Sequence, residues 1–392
     1  MGTSPYINNS LFISSLSFTF FMVVVLRMKE LCAYFTGVIV AWVIVASFVE
    51  VQVDAIKSVP GYFVLGDSGL DVGENNYVPN AFHANFPPYG ETFFHRPTGR
   101  FTNGRNVGDF IAQALELPFA PPYLQPNATF NKGVNFASGG SGLFNTTSVG
   151  LAIPFNVQLE QYKNVTTLLV KELGAIAAKK LISESFFLIA IGSNDLVLGY
   201  LANPMAQKIY TTTQYINLML DAYKSGIETL YASGVRKMVL LGVGVIGCSP
   251  DVRVVNNLQC LNLGNELAIG YNTGLKQLVN IFHAIVPDLH LVVTHNYDLI
   301  YDMIQHPQSF GLKNVTAGCC GAGLLQAQFQ CGTKVPTNVT GIHQKLCKHP
   351  SKYLYWDLTH NTQYVYKLLF QSYWDGNSSH VYPFNLRTLA LL

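Results

Sequence analysis

The chain has 392 residues, only 12% of them charged, and a net charge of +2. That balance leaves no basic surface for nucleic acid and no acidic solvating tail, while the length is ample for one large hydrophobic core or two.

The positive mean hydropathy, +0.25, owes part of its size to the N-terminus. Leu11 to Leu26 is apolar but broken by Ser14, Ser15, Ser17 and Thr19, and Leu31 to Val49 runs 19 residues without a charge. Two readings fit. One is a retained membrane anchor, since 19 apolar residues reach across a bilayer. The other, which the flanks favour, starts at Met28, with Lys29 as the charged n-region, the next run as the h-region and Val53-Asp54-Ala55 as a small-residue cleavage site. Residues 1–55 are thus expected to be an N-terminal extension and signal peptide, and residues 56–392 a single domain. Beyond Ala55 lie Cys248, Cys260, Cys319, Cys320, Cys331 and Cys347, an even set suited to disulfides in an exported chain. Cys248 and Cys260 bracket a short loop and form the natural local pair, which leaves three pairings of the other four. Glycosylation sequons begin at Asn127, Asn145, Asn164, Asn314, Asn338 and Asn377.

The first element of the domain is the apolar run Tyr62 to Leu65, which ends in Gly66-Asp67-Ser68 and so delivers a hydroxyl where a buried strand turns out into its loop. A loop rich in Pro, Gly and aromatics follows, then a helix over about 107–115. Gly133 to Ala137 reads as a second strand, closed by the turn Ser138-Gly139-Gly140-Ser141-Gly142. Asn156 to Ser185 reads as two helices parted near Gly174, and Phe186 to Ile191 as a buried strand closed by Gly192-Ser193-Asn194-Asp195. A helix over 212–232, a strand over 237–241, a helix over 262–283 and a strand over 289–293 continue the alternation. Asn296 to Tyr355 reads as loop-rich and holds four of the six cysteines, and Trp356-Asp357-Leu358-Thr359-His360 leads into a last apolar helix. Strands alternating with long helices predict an α/β fold: a flavodoxin-like, doubly wound, five-stranded parallel sheet with helices on both faces and its crevice at the carboxyl ends of the strands.

Three of those strand ends carry polar groups. A serine nucleophile needs a base, and the base an orienting acceptor. Asp357 and His360, three residues apart, fit on one turn at the start of a helix, although alone such a pair is most often a helix cap beside a solvated histidine. Gly140 offers a backbone N–H that a substrate can approach closely, and Asn194 a side-chain amide. Ser68 does not sit in a Gly-x-Ser-x-Gly elbow, because Leu70 fills the last glycine position, so an α/β-hydrolase fold is not expected. Gly242 to Gly247 matches Gly-x-Gly-x-x-Gly, with Glu266 downstream, yet Cys248-Ser249-Pro250 follows where a dinucleotide-binding helix should open. His343, Cys347 and His349 with the neighbouring cysteines are better read as disulfide partners and surface histidines than as a metal site.

Gly66-Asp67-Ser68, the Gly140 turn, Gly192-x-Asn194 and Asp357-x-x-His360 come in the order of the four blocks of the SGNH hydrolases. Together with Pro88-Tyr89-Gly90, Gly99-Arg100-Phe101-Thr102-Asn103-Gly104-Arg105 and Ala317-Gly318-Cys319-Cys320-Gly321, they make the chain resemble a plant GDSL esterase/lipase. The resemblance departs from the pattern at Gly69, Glu74, Val245 and Asn361. It implies Ser68 as nucleophile, His360 as base and Asp357 as its orienting partner. The backbone N–H groups of Ser68 and Gly140 and the Asn194 amide would form the oxyanion hole, with no metal or cofactor. The expected function is a secreted esterase or lipase that hydrolyses acyl esters through an acyl-enzyme, its partner a small-molecule acyl ester or lipid substrate, with no nucleic acid and no stable membrane span after signal cleavage. An acyltransferase using the same intermediate and a non-catalytic binding protein are the alternatives. Were His360 not the base, His83, His95 and His295 would be the next histidines to consider.

Overall fold

Five short apolar runs form the centre of the computed structural model, which describes residues 59–392 together with Met22 and residues 27–30. They are β1 (Tyr62–Gly66), β2 (Gly133–Asn135), β3 (Phe186–Ala190), β4 (Lys237–Leu241) and β5 (His290–Thr294). All pair in parallel, in the order β2-β1-β3-β4-β5, which is the doubly wound arrangement expected from the alternation of strands and helices.

Side chains alternate across this sheet as strand geometry dictates. Phe63, Leu65, Phe187, Ile189, Met238 and Leu240 face one core layer, which is covered by the helices Phe155–Leu173, Thr212–Ala232 and Asn262–Ile285. Val64, Phe186, Leu188, Val239 and Leu241 face the other, under the helices Val107–Ala114, Asn296–Gln305 and Gln363–Asp375. Local chemistry sets several helix ends. Asn106 and Asp109 close a reciprocal capping box at one N-terminus, Thr211 and Gln214 at another.

Two expectations need correction. The sheet has six strands, because Val381–Tyr382 adds antiparallel to β5; a two-residue edge strand is too short to show any periodicity. The loop-rich stretch opens with a helix that the sequence reading did not separate from it, Asn296–Gln305. It also supplies two small ribbons: Asn314–Gly318 pairs with Tyr353–Tyr355, and Cys320–Gly321 with Lys345–Leu346. The disulfides are Cys248–Cys260, Cys319–Cys347 and Cys320–Cys331. The first is the pair the spacing suggested, and the other two clamp the ribbons that support the last loop before residue 357.

Residues 56–392 make one compact unit. The apolar run over 31–49 and the cleavage site over 53–55, on which the anchor and signal-peptide readings rest, lie outside the described residues. Among the described residues no helix is long and apolar enough to cross a membrane.

Candidate active site

β1 stops where its last peptide is taken by a side chain in place of a strand. Gln158 accepts from Gly66 N at 2.8 Å and returns a bond from Nε2 to Gly66 O at 2.8 Å. The chain then coils into one tight turn, with Leu70 N and Asp71 N both donating to Asp67 O, and Ser68 stands on that turn. Asp67 is buried, and its Oδ1 accepts from Gly69 N at 2.9 Å. Burial, only partly offset by that bond, pushes its carboxyl up to about 6.

The neighbouring turn is stapled to this one. Asp71 accepts from Gly73 N and Glu74 N on one oxygen and from Gly139 N, 2.8 Å away, on the other. Asn75 donates to Gly139 O at 2.9 Å and accepts from Ser138 Oγ at 2.5 Å. Gly140 follows with φ +88°, and a Cβ there would stand 2.5 Å from the Phe82 ring, so only glycine fits. At the end of β3, Asn194 Nδ2 donates to Ser141 O at 2.9 Å, which leaves its second N–H for another acceptor. Buried Asp195 accepts from Leu143 N, Phe144 N and Thr147 Oγ1. Among the described residues, no protein group accepts from the backbone N–H of Ser68 or of Gly140. Orphaned donors of this kind in a cleft are what a developing oxyanion requires.

Asp357 and His360 do not begin a helix, as their spacing suggested; Thr362 caps the helix Gln363–Asp375. Instead Asp357 closes its own turn. Its Oδ1 accepts from Thr359 N at 3.0 Å and His360 N at 2.8 Å, so the backbone of the turn aims the imidazole. His360 Nδ1 lies 2.9 Å from each Asp357 oxygen, and Nε2 lies 2.8 Å from Ser68 Oγ. Burial opposes the imidazolium, but the Asp357 charge outweighs it and raises the ring above its ordinary value. Burial likewise opposes the carboxylate, and His360 with the two backbone donors outweighs it and lowers Asp357.

A cleft of about 390 Å³ opens onto this line of groups. Ser68, Gly140, Asn194, Asp357 and His360 all border it, and its apolar walls include Leu70, Val107, Leu241, Ile300 and Leu369. The volume suits a small-molecule ligand, and the walls suit an apolar one. The other histidines named above do not line it: His83 bonds Asn75 O, His95 bonds Glu91 O and His295 bonds Ser379 O. Gly242 and Gly244 line the cleft as turn residues, and a 3-10 turn over Ile246–Cys248 and the six-residue helix Pro250–Val255 follow them, so no long helix opens at the glycines.

The family model of GDSL-like lipases and acylhydrolases matches residues 62–372, a span that holds every one of these groups. The chain belongs to that family. It is accordingly a hydrolase acting on esters. Among curated relatives, GDSL esterase/lipase 6 of Arabidopsis thaliana is 36% identical over 346 residues, covering 85% of this chain and 91% of that protein. GDSL esterase/lipase 5 of the same plant is 36% identical over 344 residues, covering 85% and 88%. A solved catalytic mutant of an acetylxylan esterase from Geobacillus stearothermophilus aligns over 80% of this chain and 92% of that one, at 12% identity and TM-score 0.37, a similarity too loose to carry an argument.

Sequence reasoning about this GDSL hydrolase missed the residues that hold the site in place. Asp71, Gln158 and Asp195 act through buried hydrogen bonds between loops far apart in sequence. Tyr89 is another: its hydroxyl donates to Asp357 Oδ2 at 2.8 Å from a position 268 residues away. No local pattern signals such a contact.

Proposed function

We propose that this GDSL hydrolase cleaves carboxylic esters with an apolar acyl group through an acyl-enzyme on Ser68. The observation that carries the reading is the continuous line from Ser68 Oγ to His360 Nε2 and from Nδ1 to Asp357, at 2.8 and 2.9 Å. His360 takes the hydroxyl proton as Ser68 Oγ attacks the acyl carbon. The carbonyl oxygen gains negative charge against the N–H groups of Ser68 and Gly140 and the spare N–H of Asn194. The imidazolium then protonates the leaving alkoxide, and the acyl group stays on Ser68. Water, deprotonated by the same ring, attacks the acyl carbon; collapse returns the proton to Ser68 and releases the carboxylic acid. Asp357 keeps the Nδ1 proton in place and stabilises the imidazolium between these steps.

The reading places the acyl chain along Leu70, Leu241, Ile300 and Leu369, because these walls are apolar. Residues 1–55 serve as extension and export signal, and residues 56–392 are the mature single-domain enzyme. Paired cysteines and the six sequons past Ala55 support export.

The test is labelling by a serine-directed phosphonate, followed by turnover of a graded series of acyl esters with and without polyol acceptors. Adduct on Ser68 and release of free acid support the hydrolase. Acyl transfer to the polyol in preference to water would move the reading to an acyltransferase, and failure to label Ser68 would end the nucleophile assignment.

A further inference from the structure

We infer that Tyr89 is a positioning residue that fixes the plane of the Asp357 carboxylate and, through it, the imidazole of His360; the inference rests on the Ser68–His360–Asp357 reading above. Asp357 Oδ1 is already tied by two backbone N–H groups. Those bonds alone leave the carboxylate free to swing about that oxygen. The second oxygen has one side-chain donor besides the imidazole, the Tyr89 hydroxyl at 2.8 Å. With both oxygens held, each stays 2.9 Å from His360 Nδ1.

Tyr89 is built to stay there. Its ring is 1% exposed and wedged edge-on between Phe86, Phe101 and Trp356, at centroid distances of 5.5, 6.4 and 6.1 Å. Phe101 also packs on the His360 ring at 5.0 Å, and Trp356 directly precedes Asp357. The segment is sewn to the loop that carries the histidine. Gly90 N donates to Thr102 O, Thr102 Oγ1 to Asn361 O at 2.9 Å, and Gln363 N to Asn103 Oδ1 at 2.8 Å. Burial first, then the Asp357 charge, hold the phenol well above its usual value, so it remains a donor throughout the working pH range.

The O–H dipole turns its positive end toward Asp357 and draws charge from Oδ2. Removing the hydroxyl should leave a carboxylate that binds the imidazolium more strongly yet points less well. His360 should then titrate higher while the rate falls. The other charged groups facing His360 are the carboxylates of Asp67 and Asp251, and the Tyr366 phenol faces Asp357; none of them is altered by a change at Tyr89.

The experiment compares the full chain with Tyr89→Phe, Phe86→Leu and His360→Ala. It reads kcat and KM against pH, and the downfield proton resonance of imidazole Nδ1. Phenylalanine keeps the ring packing, so the variant should fold. We expect kcat to fall about tenfold, the low end for a charge-assisted hydrogen bond, with KM nearly unchanged. The acid limb should move up by roughly half a pH unit, and the Nδ1 resonance should shift. Phe86→Leu, which loosens the packing but keeps the hydroxyl, should leave the limb and the resonance in place. A wild-type limb and resonance in Tyr89→Phe, with His360→Ala inactive, would overturn the role of Tyr89 alone. Activity in His360→Ala would overturn the underlying triad and the role of Tyr89 with it.

Discussion

Asn194→Ala is the sharpest test of the oxyanion arrangement, because the structure separates the two things this side chain does. One amide N–H is spent on Ser141 O at 2.9 Å, and the other faces the cleft. The substitution removes both. Loss of the first costs stability of about 1 kcal/mol, the net worth of a typical hydrogen bond. The turn should nevertheless hold, since Asp195 keeps three bonds to residues 143–147 and Gln158 Nε2 still donates to Ser141 Oγ at 2.9 Å. On the proposed mechanism, loss of the second removes one oxyanion donor, a change that costs roughly 10²- to 10³-fold in kcat, or about 2.7–4 kcal/mol of transition-state stabilisation. The assay is steady-state turnover of a chromogenic short-chain ester beside thermal melting. The expected result is a large fall in kcat, little change in KM and a small drop in Tm. A change confined to KM would refute the oxyanion role and make Asn194 a binding residue; a rate loss that merely tracks a large Tm drop would show that the turn had collapsed.

Five further outcomes are expected. Because Asp357 raises His360 above its ordinary 6.5 and only the neutral ring accepts the serine proton, kcat/KM should climb with pH along a limb above that value. Asp357→Asn should lower the limb, since the largest charge opposing burial is then gone and only Asp67 and Asp251 still favour the imidazolium, and reduce kcat by roughly 10⁴-fold; a limb left in place in a pH–rate profile would count against the pairing. Glu74 is buried, and burial raises its carboxyl to about 8, with Leu124 N and Gln161 Nε2 only partly compensating. A pKa higher in the folded than in the unfolded state means that the stability present below 4.5 is lost as pH rises toward 8. Glu74→Gln, with Gln161 flipped to use its unpartnered Oε1, should therefore gain roughly 2–4 kcal/mol over wild type at pH 9 and nothing at pH 4, as read by denaturant melts at the two pH values. Replacing Cys248 and Cys260 by serine opens a loop with a sequence separation of 12 and should cost about 3 kcal/mol, whereas finding both as free thiols in peptide maps made without reductant would remove that bridge. N-terminal sequencing of protein from the growth medium should begin at Ile56, and recovery only in carbonate-washed membranes would favour a retained anchor.

Much of this protein is local and therefore legible in its sequence. Buried parallel strands are short unbroken apolar runs, so β1, β3 and β4 stand out within a residue of their ends, and the helix Thr212–Ala232 announces itself by its period. The candidate site is legible for a related reason: the strand ends after Gly66, Asn135 and Ala190 fix where Ser68, Gly140 and Asn194 emerge, and a spacing of three residues brings Asp357 beside His360. What the tertiary structure decided is what joins these pieces. The edge strand Val381–Tyr382 exists only because β5 offers it a partner. Asp357 closes its own turn and caps no helix, because the disulfide-clamped ribbons deliver the chain there already extended and Thr362 takes the capping position. Asp71, Gln158 and Tyr89 are common residues in their local setting, and their roles come from hydrogen bonds 68, 92 and 268 residues away. A strand or a helix is specified by neighbours along the chain, whereas a buried polar contact between loops depends on every element that brings the two loops together, so it has no signature in either stretch alone.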